Sequence, residues 1–236
     1  MKRFLIGGLF VAMVAAGNAQ TYYARGTFNG YGLTNPLTSL GGGLYETVIT
    51  GLTPGVNYDF KVADSAWTNG TISPSGDNIK TQSDASGNLK ITLNTNAPDP
   101  LMSPNTTFRA GFDNNNSMNF EVMGNFPGGD NFGTPLALTY DATTKKYNSA
   151  ILPLSQFTIG QNYEFKIRKV GDWGVAYGNG LGNLDGNVQF TPQANWGFVT
   201  FVFDPTRGQL GAVPEPATMA ALGLGILGLA RRRRNK

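Results

Sequence analysis

Apolar and polar side chains alternate with a period of two in several short runs of this chain. In Tyr58-Asp59-Phe60-Lys61-Val62 the first, third and fifth residues point one way and the two charged residues the other. That spacing places one set on a core and the other in water, as a half-buried strand requires. Leu89, Ile91 and Leu93 repeat it, and Thr53-Pro54-Gly55 and Ile159-Gly160 supply turns. No long helical pattern stands between the two ends of the chain. Short strands separated by Gly- and Asn-rich turns predict an all-β protein built as a sandwich.

The pattern is written twice. Asn57-Tyr58-Asp59-Phe60-Lys61-Val62 returns as Asn162-Tyr163-Glu164-Phe165-Lys166-Ile167, with four of six positions identical. A Gly precedes each segment by two residues, and Trp67 and Trp173 follow, each expected in a loop after the strand. Gly26-Thr27-Phe28-Asn29-Gly30 faces the looser Gly124-Asn125-Phe126-Pro127-Gly128, and Tyr45 and Tyr147 hold similar places. Asn78-Ile79 corresponds to Asn187-Val188, and residues 89–93 to 199–203. An offset of roughly 100–110 residues throughout points to an internal duplication. The expected organisation is two tandem β-sandwiches, residues 20–112 and 120–212, each with its own core, joined by a solvated Asn-rich linker at 113–119.

Composition narrows the chemistry. The 236 residues include no Cys and no His. Disulfides, thiolate metal sites and every His-dependent catalytic triad are thereby excluded. Asp113-Asn-Asn-Asn lacks the central Gly and twelfth-position Glu of a calcium loop. Asp172 and Asp185 belong to no catalytic signature, so a non-enzymatic role is expected, without cofactor or metal. The pI near 9.1 comes from the ends. Residues 20–213 carry eleven Lys and Arg against fourteen Asp and Glu, a net of −3. Such a body offers no basic face for nucleic acid.

Both ends read as addresses. Lys2 and Arg3 precede an apolar run at 4–16, then small residues Gly17 and Ala19. This is the order of a secretory signal peptide, residues 1–19, cleaved after Ala19. At the other end stand Pro214-Glu215-Pro216, an uncharged apolar run at 217–230, and Arg231, Arg232, Arg233 and Arg234. Fourteen apolar residues fall short of the roughly 20 that span a bilayer comfortably. The arginine block is expected to stay cytoplasmic, holding the chain in the inner membrane transiently.

This tail, residues 213–236, strongly resembles the PEP-CTERM sorting signal. The resemblance implies recognition near Pro214-Glu215-Pro216 by an exosortase-type membrane protease in a Gram-negative bacterium that makes exopolysaccharide, with a destination at the cell surface or in the extracellular matrix. A second resemblance covers most of residues 22–208. Each unit is similar to the small starch-binding-like sandwich modules of pullulanases, through Gly26 to Tyr31, Tyr58 to Val62, Trp67 and Asn78-Ile79 in the first. In the second it runs through Tyr163 to Ile167, Trp173 to Gly178, Gly186 to Val188 and Phe203-Asp204-Pro205-Thr206-Arg207-Gly208. This resemblance implies immunoglobulin-like sandwiches and binding of α-glucan. The family's turn Trp is Tyr31 here, and Pro127-Gly128-Gly129 replaces it in the second unit.

The candidate ligand residues follow. Trp67, Trp173, Tyr31 and Tyr177 are candidate platforms for a pyranose ring, with Lys61 and Lys166 as hydrogen-bonding partners. The alternative for the two Trp residues is packing in a sandwich core or at its edge. At the level of the whole protein, a polysaccharide-binding surface protein stands beside a structural or adhesive protein that binds no sugar.

Overall fold

The computed structural model describes residues 20–70 and 76–215. The expected leader with Ala19, and the tail from Pro216 through Arg231, Arg232, Arg233 and Arg234, lie outside them. The described chain is all β apart from two short 3-10 turns. Its N-terminal half contributes β1 (Tyr23–Gly26), β2 (Thr38–Gly41), β3 (Leu44–Ile49), β4 (Asn57–Ala63), β5 (Ile79–Gln82), β6 (Leu89–Asn94) and β7 (Arg109–Asp113). The C-terminal half contributes β8 (Phe120–Gly124), β9 (Leu136–Asp141), β10 (Lys146–Ser149), β11 (Leu152–Pro153), β12 (Tyr163–Lys169), β13 (Asp172–Tyr177), β14 (Val188–Phe190), β15 (Phe198–Asp204) and β16 (Gln209–Glu215).

In the N-terminal half a three-stranded sheet, β1-β4-β5, packs on a four-stranded sheet, β2-β3-β6-β7. The alternation of β4 decides the sides: Phe60 and Val62 are buried, and Phe60 meets Phe112 of β7 edge to face at 6.4 Å. In the C-terminal half a single nine-stranded sheet runs β11-β15-β10-β9-β8-β12-β13, with β14 on β12 and β16 on β15. It turns over on itself where β8 and β9 pair through only two residue pairs. Phe165 of β12 then meets Phe201 of β15 at 4.8 Å.

The same pairings occur in both halves. Gly26 stands opposite Phe60, and Phe60 opposite Ile79. Gly124 stands opposite Phe165, and Phe165 opposite Val188. Tyr45 pairs with Leu93 and Tyr147 with Phe203. A β-carbon on Gly26 would collide with the Asp59 carbonyl oxygen, and one on Gly124 with that of Glu164. The backbone N–H of Thr53 donates to the Tyr58 hydroxyl at 2.8 Å, and that of Thr158 to the Tyr163 hydroxyl at 3.0 Å.

Three expectations need correction. The buried residues of both halves form one continuous cluster rather than two separate cores. Tyr177, expected as a sugar platform, is the reason: it is fully buried between Phe112, Phe120 and Phe203, at ring separations of 5.9, 5.8 and 4.9 Å. Its hydroxyl donates to the Lys80 carbonyl at 2.5 Å, so β13 runs beside β5. Residues 113–119 are not a solvated linker. Asp113 closes β7, Asn114 and Met118 are buried, and the Tyr147 hydroxyl bonds to Asn116 Oδ1 and the Met118 carbonyl at 3.0 and 3.1 Å. At the C-terminal end β16 carries strand order to Glu215, into the first residues of the expected tail.

A shared core has a measurable consequence. Tyr177→Ala removes a fully buried ring and should cost about 3–5 kcal/mol, while Tyr177→Phe, which removes only the hydroxyl, should cost about 1 kcal/mol. Denaturant unfolding should show one transition for both halves in the wild type. Two separated transitions, or a Tyr177→Ala variant as stable as wild type, would contradict the shared core.

Candidate functional site

Trp67 sits in the turn that leaves β4, in a left-handed backbone conformation (φ 59°). The turn is held by Asp64, whose carboxylate accepts from the Thr68 N–H at 2.8 Å, the Asn69 N–H at 2.9 Å and the Gln20 amide at 2.9 Å. Burial alone would raise this carboxyl; the hydrogen bonds from Thr68 and Asn69 outweigh it and hold the pKa below its ordinary value. Beneath the indole lies Arg25 of β1, its guanidinium carbon 3.7 Å from the ring centroid. Nε of Arg25 donates to the Tyr31 carbonyl at 2.8 Å and Nη1 to the Asp64 carbonyl at 3.2 Å. Arg25 is also the register partner of Lys61. Directly opposed residues of an antiparallel pair share a face, so Tyr31, Lys61 and Trp67 gather around Arg25 on the outer side of the three-stranded sheet. The Lys61 ammonium is engaged by the Gly76 carbonyl at 2.5 Å.

The C-terminal half builds a comparable indole differently. Trp173 lies not in a loop, as the repeat suggests, but within β13, just after the hairpin turn. The Arg168 guanidinium carbon stands 4.5 Å from its centroid. Glu121, itself buried, fixes that arginine through a 2.7 Å ion pair and accepts the Gly171 N–H at 3.1 Å. Lys166 lies two residues before Arg168, hence on the same face. Its ammonium donates to the Asn183 carbonyl at 3.3 Å. Burial pushes the Lys166 pKa down, partly countered by Asp185 and Asp77.

Asp77 links the two groups. It accepts the Leu184 N–H at 2.8 Å and acts on both Lys166 and Tyr31. Next to it, the Asn78 amide donates to the Tyr31 hydroxyl at 2.9 Å. The Tyr31 pKa is raised by burial first and by Asp59 and Asp77 next. The structure thus brings together Tyr31, Lys61 and Trp67, and Lys166 and Trp173, with Asp77 between them. Tyr177 is excluded, since it belongs to the core. Trp67 and Trp173 are 39% and 44% exposed. Arg25 and Arg168, which pin the two indoles, are not among the residues the sequence singles out. For Arg168 a signal exists: the alternation of β12 puts Glu164, Lys166 and Arg168 on one face.

An indole held over a guanidinium is a preorganised, half-exposed aromatic surface. The stacking contributes roughly 0.5–1 kcal/mol at an exposed site and more where the cation is desolvated. Among the described residues no group of acidic side chains is arranged to hold a metal ion.

Residues 212–234 match the PEP-CTERM protein-sorting motif. The chain carries an exosortase sorting signal. Export, processing by an exosortase and a cell-surface or membrane-associated destination follow from it. No curated protein matches the chain. The PEP-CTERM match overlaps the fold at the end of β16, where Pro214 pairs with Val199 and Glu215 with Phe198. The sorting signal therefore begins inside a strand, with no spacer between it and the sheet.

Two outcomes test this geometry. Trp67→Ala and Trp173→Ala should each cost less than about 1 kcal/mol, because each removes a half-exposed ring and one cation–π contact; chemical denaturation would instead return about 3–5 kcal/mol for an indole packed in a core. Asp64 gives a pH dependence of known sign. Its folded pKa is depressed, so the stability it adds is complete above the unfolded value of about 3.9 and is lost as pH falls through the folded value. Acid titration followed by Trp67 fluorescence, with the other two Trp residues replaced by Phe, should show the turn loosening only below about pH 4, and Asp64→Asn should abolish that acid-dependent step.

Proposed function

We propose that the exported protein binds or organises extracellular polysaccharide, through two related immunoglobulin-like β-sandwich units, residues 20–112 and 120–212, that share a core. The recurrence of register at Gly26-Phe60-Ile79 and Gly124-Phe165-Val188 supports a duplication. One observation carries the binding reading. Each unit presents a Trp that is neither buried nor loose: the indole is exposed by about two fifths and backed by an arginine that is itself fixed by hydrogen bonds. A pyranose binds such a surface by laying its apolar C–H face on the ring. Pinning the ring beforehand removes the ordering cost from the binding step. Tyr31, Lys61 and Lys166 flank the rings. The lysines brace loops through carbonyl oxygens in the free protein and offer their remaining N–H groups to hydroxyls.

In this reading the leader is removed after Ala19, the exosortase acts near Pro214-Glu215-Pro216, and Arg231, Arg232, Arg233 and Arg234 hold the unprocessed tail on the cytoplasmic side of the inner membrane. The body reaches the surface or the extracellular matrix as a non-catalytic component. An α-glucan or the host exopolysaccharide is the ligand class.

The test is affinity retention of the full chain on immobilised α-glucans and host exopolysaccharide. Retention should fall at least about fivefold in Trp67→Ala and in Trp173→Ala, a loss of roughly 1 kcal/mol per platform, with circular dichroism unchanged. No retention at high protein concentration would leave the protein as a structural or adhesive spacer, and retention indifferent to both substitutions would reject the two Trp residues as sugar platforms.

A further inference from the structure

A second surface lies on another side of the molecule, where β6 and β7 meet the turn between β15 and β16. A cavity of about 270 Å³ opens there, lined by Asn94, Asn96, Asp99, Arg109, Arg207 and Gln209. Both halves of the chain contribute. Asn94 and Arg109 are register partners across β6 and β7, and Gln209 opens β16 opposite Asp204. Thr92 Oγ1 donates to the Thr206 carbonyl at 2.7 Å, and the Phe112 N–H to the Pro205 carbonyl at 2.8 Å, which locks the two sides together.

Two donors in this cavity lack acceptors. Arg109 is 2% exposed and Gln209 is 3% exposed. Arg109 Nη1 is engaged by the carbonyl oxygens of Asn96, at 3.1 Å, and Thr106. Its Nε has no partner among the described residues, and neither has the Gln209 Nε2 amide. A buried donor without an acceptor costs about 1–3 kcal/mol, more when it is charged, so unpaired buried donors are rare and call for a cause. Both stand in the walls of one cavity, one of them cationic, and an acceptor seated against those walls would satisfy them. Among the described residues no ion pair joins Arg109 to a carboxylate. Burial, and then the neighbouring Arg207, push the Arg109 pKa below its ordinary value, and an anion would relieve both effects. Arg207 is exposed and only loosely paired, 3.9 Å from Asp204 Oδ2. The lining's carboxylate, Asp99, has one oxygen engaged by the Leu101 N–H at 3.0 Å.

We propose that this cavity binds the carboxylate of an acidic sugar, a uronate unit, through the Nε edge of Arg109 and the Gln209 amide, with Arg207 at the mouth. A guanidinium edge and a carboxylate are both planar and match as a two-point pair. With Nη1 turned to backbone carbonyls, the Nε side of the fork is the one left for a ligand. Asn94 and Asn96 add amide groups, which serve ring hydroxyls as donors and acceptors alike. The volume is below the roughly 300–1,000 Å³ of pockets for drug-sized ligands and suits one sugar ring. A peptide carboxyl terminus would bring an apolar side chain, for which the lining offers only Leu44 and Ala97 beside its amides and charges. The site stands apart from the two Trp residues and does not require them.

The experiment is a calorimetric titration of the full chain, in detergent, with a galacturonate or glucuronate trimer, beside a neutral glucose trimer, inorganic phosphate and a short peptide with a free carboxyl terminus. The Arg109 Nε resonance is followed in parallel by nitrogen-15 NMR. The uronate trimer should bind and shift that resonance, and the three other probes should bind at least about tenfold more weakly. Gln209→Leu and Arg207→Gln should each weaken uronate binding about tenfold, as expected for loss of a charge-assisted contact. Arg207 is exposed, so its variant should keep the wild-type unfolding midpoint and reports on binding even if Gln209→Leu fails to fold. Trp67→Ala with Trp173→Ala should leave uronate binding intact, which separates this site from the glycan platforms. The proposal is overturned by an Arg109 Nε signal that does not move at tens of millimolar uronate, by Arg207→Gln binding as tightly as wild type, or by equal affinity for phosphate or for the peptide.

Discussion

The structure depends on the packing of four aromatic rings, Phe112, Phe120, Tyr177 and Phe203, drawn from β7, β8, β13 and β15. Each comes from a different strand, and together they join the sandwich of the N-terminal half to the folded-over sheet of the C-terminal half. Aromatic pairs at 4.5–7 Å stabilise beyond the area they bury, and here they fill what would otherwise be two exposed ends. The tyrosine adds a polar tether, because its hydroxyl reaches the Lys80 carbonyl across the seam. That junction explains why the Asn-rich stretch is packed. A chain crossing between two fused cores runs over buried ground, and Met118 fills some of it.

Fusion also has a functional side. The two Trp surfaces are presented by one cohesive body, with Asp77 of the N-terminal half engaging Leu184 and acting on Lys166 of the C-terminal half. A ligand that spanned both would meet a preset spacing rather than two modules on a string. The same seam creates the Arg109 cavity, since Gln209 and Arg207 come from the C-terminal half and Arg109 and Asn94 from the N-terminal half. At the far end, β16 runs into the sorting signal without a spacer. The folded body must therefore lie close to wherever that signal is read.

Much of this is legible in the amino-acid order. Period-two alternation locates β4, β6, β12 and β15, and the spacing of Tyr58 and Tyr163 locates strands whose registers agree in both halves. The order of parts in residues 213–236, Pro-Glu-Pro, an apolar run and an arginine block, is enough to find the sorting signal. What local pattern does not carry is long-range. Tyr177 reads as a surface residue because Tyr beside Gly178-Asn179-Gly180 has the local look of an exposed turn; its burial depends on Phe112 and Phe203, far away in the chain. Trp173 reads as a loop residue because, among the described residues, the stretch after β4 forms only a single bridge, Ala63 to Gly70, where the C-terminal half forms β13, so the repeat gives no guide. Arg25 and Arg109 are silent for a shared reason. Both are charged residues at 9% exposure or less, held by backbone carbonyls that only the tertiary fold brings near.

The central claim is that both halves form one cooperative body around the aromatic junction. Native-state hydrogen exchange of the full chain tests it most directly, amide by amide. The slowest amides of β4, β6, β12 and β15 should all exchange with the same opening free energy, equal to that of global unfolding. Distinct plateaus, with β4 and β6 opening while β12 and β15 stay protected, would contradict it.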